Sequence, residues 1–268
     1  MVENNRYYLL KKVLLVSTFF LPIVLWADDC QPQGKLTNAV VQWVYDGDTL
    51  RLKSKKNIRL RVIGIDTPEV PRKGKPAEPL SGEAKEAVRE LLSSEGYRIR
   101  YERDVLAKDR YGRLLAHVYT QDNINLSQWL LQKGLATTLF IPPSERHVKC
   151  YQRAEQQAQE ARLGLWRLPA FQLQDSTTIK RSVKGYVRIK GTVLKVERRS
   201  NKLTLVLALF SPDRLRVVIK KPELTLFKNK DLSHLKGSRV HVTGILYRYG
   251  KRAYIRLRHP AYLHVLSP

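Results

Sequence analysis

Three short runs rich in Val, Ile and Leu, Ala39–Tyr45, Thr49–Lys53 and Ile58–Ile65, follow one another with only Asp-Gly and Ser54–Asn57 as the breaks between them. Alternation with turn residues at the breaks is the pattern of hairpin-linked strands half-buried on one face. A helical pattern comes next. Ser81 is placed to cap it, Ala84, Ala87, Val88, Leu91 and Leu92 share one face, and Gly96 ends it. Tyr97–Val105 and Gly112–Tyr119 again read as strands. Asn125 is placed to cap a short helix over Leu126–Lys133, and a longer one is predicted from near Ser144 to Arg162. Three strands, a helix and two strands is the chain order of an OB-type five-stranded barrel, so the expected fold is mainly β with helical cover.

The charge shows that this barrel is not the whole protein. The 268 residues hold 49 Lys and Arg against 24 Asp and Glu, a net +25. Residues 172–268 alone hold 22 basic and 5 acidic residues, a net +17. A folded chain this basic expects a polyanionic partner (nucleic acid, an anionic membrane face or an acidic glycan), and a collagenous chain and a multi-span membrane protein are excluded. The basic half also reads as three strands, a connection and two strands, which suggests a second OB-like barrel. Its tyrosines, Tyr247 and Tyr249 among them, alternate with arginines, as stacking on bases with phosphate contact would require. The expected division is an export signal at 1–27, a catalytic barrel at 36–168, a linker at 169–182 and a basic nucleic-acid-binding barrel at 183–268. The signal rests on Arg6, Lys11 and Lys12, the apolar run Val13–Trp26 and the small Ala27. That run is short for a membrane span, so no stable anchor is expected, and the product would be periplasmic or secreted. In an oxidising compartment Cys30 and Cys150, the only cysteines, are candidates for one disulfide. No histidine pair has zinc-helix spacing.

The chemistry-bearing residues cluster at strand ends. Asp46-Gly47-Asp48-Thr49 lies between two strands, and Asp66-Thr67-Pro68-Glu69 closes the next. Taken alone, each is an ordinary turn or strand exit. Arg61 and Arg113 change that reading. Carboxylates for a hard cation, one further carboxylate and two guanidinium groups are the parts that phosphodiester hydrolysis uses. One difficulty stands out. Arg61 and Asp66 are five residues apart, which in a regular strand puts them on opposite faces, so the strand must bend near Gly64.

Val44–Leu50 (VYDGDTL), Arg59–Glu69 (RLRVIGIDTPE), Asp109–Tyr119 (DRYGRLLAHVY) and Asn125–Ala136 (NLSQWLLQKGLA) together resemble the staphylococcal-nuclease-like, or thermonuclease, family over about Leu36–Leu168. The resemblance implies an OB-type barrel that cleaves the 5′ P–O bond of DNA and RNA, with Ca²⁺ as cofactor; oxygen ligands alone would also admit Mg²⁺ or Mn²⁺. It implies Asp48 and Asp66 as metal ligands, Thr67 as a backbone-carbonyl ligand and Asp46 as a carboxylate behind them. Glu69 matches the general base, and Arg61 and Arg113 the phosphate-binding arginines. Arg72, Lys73 and Tyr111 are expected at the substrate. The family's two nucleotide-contacting tyrosines are replaced by Phe140 and Pro142, of which Phe140 keeps a ring to stack on a base. The expected product is a monomeric, metal-dependent endonuclease acting on DNA, RNA or both. The alternative is a non-catalytic nucleic-acid-binding envelope protein on the same barrel.

Overall fold

In the computed structural model, residues 30–209, 214–227, 232–250 and 252–267 are described. The expected export signal, Met1–Ala27, lies outside them. The first barrel is built from β1 (Leu36–Asp46), β2 (Thr49–Leu52) and β3 (Arg59–Val62). After β4 (Gly64–Asp66) and α1 (Ser81–Ser93) it is completed by β5 (Arg98–Lys108) and β6 (Leu114–Tyr119). The ring closes in the order β1-β2-β3-β6-β5, antiparallel except where β3 runs parallel to β6. That is the OB-type order. Leu50, Leu60, Val62, Ile99 and Val118 fill the interior. Burial of side chains of this size contributes about 1.5–3 kcal/mol each.

Helices cover the ring. α1 turns Ala84, Val88 and Leu92 inward at four-residue spacing. It starts at Ser81 with Leu80, not Ser81, in the cap position; Leu80 is left-handed and caps nothing with its side chain. α2 (Leu126–Gln132) is capped as expected, with Asn125 Oδ1 accepting from the Gln128 N–H at 3.1 Å. β7 (Thr137–Leu139) and α3 (Val148–Glu160) follow. A disulfide joins Cys150 on α3 to Cys30 ahead of β1, with 5.8 Å between the Cα atoms.

The run Ile58–Ile65, expected as one strand, is two. β3 ends at Val62, and Gly64 takes φ +87° before β4 pairs with β7 in a separate two-stranded sheet. A side chain could not replace the Gly64 hydrogen, because a Cβ there would stand 2.2 Å from the ring of Tyr151. This bend resolves the spacing difficulty between Arg61 and Asp66.

The second half repeats the topology. After β8 (Leu173–Asp175) come β9 (Gly185–Arg199), β10 (Lys202–Ala208), β11 (Arg214–Lys220), the short α4 (Lys221–Leu224), β12 (Arg239–Tyr249), β13 (Arg252–Arg256) and β14 (Leu263–Ser267). β9-β10-β11-β13-β12 closes through the β12–β9 pairing, with β11 and β13 parallel, so a second five-stranded barrel has the same ring order as the first. The segment expected as a linker is folded onto this barrel. Its β8 pairs with β9, and Ile179 is buried in the second core.

The two barrels touch through specific groups. The Tyr262 hydroxyl accepts from the Phe140 N–H at 2.7 Å, and their rings stack at 5.7 Å. Arg188 Nη2 donates to Gln159 Oε1 at 2.7 Å, and its guanidinium lies over Trp166. Among the described residues no helix is long and apolar enough to cross a membrane.

Candidate active site

The β1–β2 turn, the end of β4 and the β5–β6 turn meet at one rim of the first barrel. Arg61, projecting from β3, organises that rim. Its Nη1 lies 2.8 Å from Asp48 Oδ2 and also donates to the Val62 carbonyl, while its Nη2 donates to Asp66 Oδ1 at 2.8 Å. Asp48 is buried and fully engaged: Thr49 Oγ1 donates to its Oδ1, and the Thr67 N–H donates to its Oδ2 at 2.9 Å. Asp46 stands behind, accepting from the Asp48 N–H. Gly47 leaves room for this turn, since a Cβ would meet the Thr67 methyl at 2.8 Å.

The electrostatics follow from the crowding. Burial raises the proton affinities of Asp48 and Asp66 above the ordinary carboxylate range; Arg61 opposes this, and Asp46 adds repulsion to both. Glu69 is also raised, by burial first, with Arg72 opposing and Asp46 and Asp66 reinforcing. Asp48 and Asp66 share the single charge of Arg61, while Arg72 bridges Asp46 and Glu69, so the four carboxylates outnumber the two guanidinium groups that pair with them. Asp48 and Asp66 offer hard oxygen donors, which suit a cation such as Ca²⁺ that completes its shell with carbonyls and water. The Thr67 hydroxyl is buried beside them with no hydrogen-bond partner among the described residues. Among the described residues, no group of three or more His, Cys, Asp or Glu forms a metal-holding cluster on its own.

Arg113 is aimed by Asp109. Asp109 Oδ2 accepts from Arg113 Nε at 2.7 Å, and Oδ1 accepts from the N–H groups of Tyr111 and Arg113. Although burial works the other way, the hydrogen bonds from Arg113 hold Asp109 below the usual carboxylate range. Arg113 lies within electrostatic reach of Asp66. Arg61, Asp46, Asp48, Asp66, Thr67, Glu69 and Arg113 therefore share one rim.

The expected substrate contacts fare differently. Tyr111 is 69% exposed, with Arg110 and Arg113 over its ring, and Lys73 is exposed. Arg72, expected at the substrate, is engaged within the site: its Nη2 bridges Glu69 Oε2 at 2.6 Å and Asp46 Oδ2 at 3.0 Å. Phe140 is corrected outright. It is 1% exposed, sandwiched by Tyr262 and His259 of the second barrel, so its ring has no face to offer a base. Tyr247 and Tyr249, 47% and 83% exposed, lie on β12 of the second barrel. Two contributors escaped the sequence reading. Glu78 accepts from the Glu69 N–H at 3.0 Å and fixes the loop carrying the base candidate; nothing in its surroundings flags it. Asp109 could have been found, since it lies in the DRYGR run four residues before the arginine it orients.

Comparison with known proteins gives the family. Residues 59–168 match the family model described as staphylococcal nuclease homologue. The thermonuclease of Staphylococcus intermedius is 34% identical over 128 residues, covering 47% of this chain and 74% of that protein. The thermonuclease of Staphylococcus hyicus is 34% identical over 124 residues, covering 46% and 72%. The SPbeta prophage-derived endonuclease YokF of Bacillus subtilis is 27% identical over 163 residues, covering 60% and 52%. With the barrel order, the bend at Gly64 and the rim it creates all in place, the chain belongs to the staphylococcal nuclease homologue family of nuclease enzymes.

Proposed function

We propose that this protein is an exported, divalent-cation-dependent endonuclease that hydrolyses phosphodiester bonds of DNA, RNA or both. The observation that carries the proposal is Arg61, which ties Asp48 and Asp66 together from β3 while Glu69 and Arg113 stand within electrostatic reach. Asp48, Asp66 and the Thr67 carbonyl would hold the cation, with Asp46 supporting Asp48. When bound, a hard divalent cation supplies Lewis-acid polarisation of a phosphoryl oxygen.

The chain's own residues supply the rest. Glu69 takes the proton from an attacking water. Its raised proton affinity makes it a better base than a free carboxylate. Arg61 and Arg113 place guanidinium forks where negative charge builds on the phosphoryl oxygens, and Asp109 keeps the second of them oriented. The Cys30–Cys150 disulfide supports export to an oxidising compartment, periplasmic or extracellular.

The test is cleavage of plasmid DNA and of an RNA by the purified chain, with Ca²⁺, with Mg²⁺ or Mn²⁺, and with chelator. Expected is cleavage with Ca²⁺ that chelator abolishes, and a loss of two or more orders of magnitude in Glu69→Gln and Arg113→Ala, the scale of a few kcal/mol at the transition state. Near-normal hydrolysis by Arg113→Ala would overturn the role assigned to that residue.

A further inference from the structure

A cavity of about 500 Å³ lies between the barrels, and its walls come from both. Asp66 and Thr137–Phe140 line it from the first barrel; Lys220, Tyr247, Arg256 and Arg258 line it from the second. The site rim thus opens into a cleft whose far wall is basic and aromatic. The Phe140–Tyr262 and Arg188–Gln159 contacts hold that wall in place.

The wall continues as a face. On β13 and just beyond it, Ala253, Ile255 and Leu257 are buried in the core, so the intervening Arg252, Tyr254, Arg256 and Arg258 lie on the outside. On β11, Leu215, Val217 and Ile219 are buried, leaving Arg216 and Lys220 on the outside. The strand registers bring Arg216, Tyr254 and Tyr247 side by side, and the two tyrosine rings stack at 5.8 Å. Arg256 and Arg216 have carboxylate partners in Glu223 and Glu197. Lys220 and Arg258 have no ion pair among the described residues. Arg258 is instead crowded by Arg256 and by Arg110, which comes from the turn that carries Arg113; burial and that repulsion lower its proton affinity. Arg256, Arg258 and Arg110 converge from both barrels on a single carboxylate, Glu223, and the surplus of positive charge calls for an anion from outside.

We propose that the outer face of β12, β13 and β11 is a track for single-stranded polynucleotide that leads into the catalytic cleft, with Tyr247 and Tyr254 stacking on bases and Lys220 and Arg258 holding phosphates. Aromatic platforms beside unpaired cations are how strand-tolerant single-strand binding is built. A cleft of about 500 Å³ falls in the range of small-ligand sites and suits a nucleotide-sized guest. The track rests on the nuclease reading only for its purpose, because its occupancy can be measured without catalysis.

The experiment uses the full chain with a fluorescent single-stranded oligonucleotide of about 20 nucleotides, longer than the roughly 4–16 that one such barrel covers. Anisotropy in chelator reads binding, and cleavage with Ca²⁺ reads KM and kcat. Lys220→Gln with Arg258→Gln removes two phosphate contacts. The slope of log affinity against log salt should flatten by about 1.4, at about 0.7 per contact on a single strand. KM for the long strand should rise about tenfold towards that for a tetranucleotide, with the effect on KM rather than kcat. Lys220→Glu, at an exposed position, repeats the test without touching the half-buried Arg258, and Tyr247→Ala should weaken binding with little change in salt slope. Unaltered affinity and slope in these variants, or equal affinity for a blunt duplex of the same length, would overturn the track. Lys220-dependent binding in a chain that cuts nothing under any cation would instead leave the track standing and sink the nuclease reading.

Discussion

Glu155 offers the sharpest test of how the fold holds its site. It projects from α3 and accepts from the N–H and the Oγ1 of Thr138, at 2.7 and 3.0 Å. Thr138 lies on β7, whose pairing partner β4 sets Ile65 opposite Thr138 and Asp66 opposite Thr137. One acid therefore pins the strand on which the position of Asp66 depends. Burial pushes Glu155 from 4.5 up to about 7, against the pull of the two Thr138 hydrogen bonds and of Arg188. Each tenfold change in proton affinity is worth about 1.4 kcal/mol, so the rise corresponds to about 3 kcal/mol. The folded chain binds the proton more tightly than the unfolded chain. Stability from this group is fully present below about pH 4.5 and is lost as pH rises through about 7. Glu155→Gln keeps the shape and an oxygen that can accept from the Thr138 N–H, but does not titrate. Urea unfolding of both proteins from about pH 4 to about pH 9 isolates the group, because other titrations are common to the two. The wild type should lose about 3 kcal/mol relative to the variant across that range, most of it between pH 4.5 and 7. A difference that stays flat, or that grows in the wild type's favour with pH, would refute the reasoning.

Other outcomes are expected from single contacts. Reduction of the disulfide, or Cys30→Ser with Cys150→Ser, frees a closure spanning 120 residues and should cost about 4–5 kcal/mol in the chain-entropy account, read as a drop in the urea midpoint; a loss under about 1 kcal/mol would contradict it. Tyr262→Phe removes the acceptor for the Phe140 N–H at the barrel junction and should cost about 1–3 kcal/mol. Hydrogen exchange at the Phe140 amide should speed up accordingly, and unchanged protection there would show that the junction does not depend on this bond.

Much of the site is legible residue by residue. Asp46-Gly47-Asp48 at a hairpin, the capping Asn125, and the DRYGR run each depend on neighbours a few positions away, and they fold as their local chemistry demands. Ile58–Ile65 marks the boundary of that legibility. Its odd spacing from Arg61 to Asp66 signals that something must bend, but only the Gly64 backbone, closed in by Tyr151 from α3, shows where. Phe140 fails for a related reason. Its immediate surroundings suit an exposed stacking ring, and Tyr262, which covers it, lies 122 residues further along. Arg72 likewise reads as a loop cation until Glu69 and Asp46 are seen to converge on it.

The linear chain by itself determined the main strands and helices of the first barrel and their order, and which acids and arginines are available for phosphate chemistry. Those properties follow from side-chain period, turn preference and charge, all of which act between near neighbours. The tertiary structure alone decided that Arg61 clasps Asp48 and Asp66, that part of the presumed linker pairs with β9 of the second barrel, and that this barrel buries Phe140 and brings Lys220 and Arg258 to the cleft that Asp66 lines. Ring closure and the docking of two barrels join groups that are remote along the chain, and Coulomb forces and packing depend on distance through space.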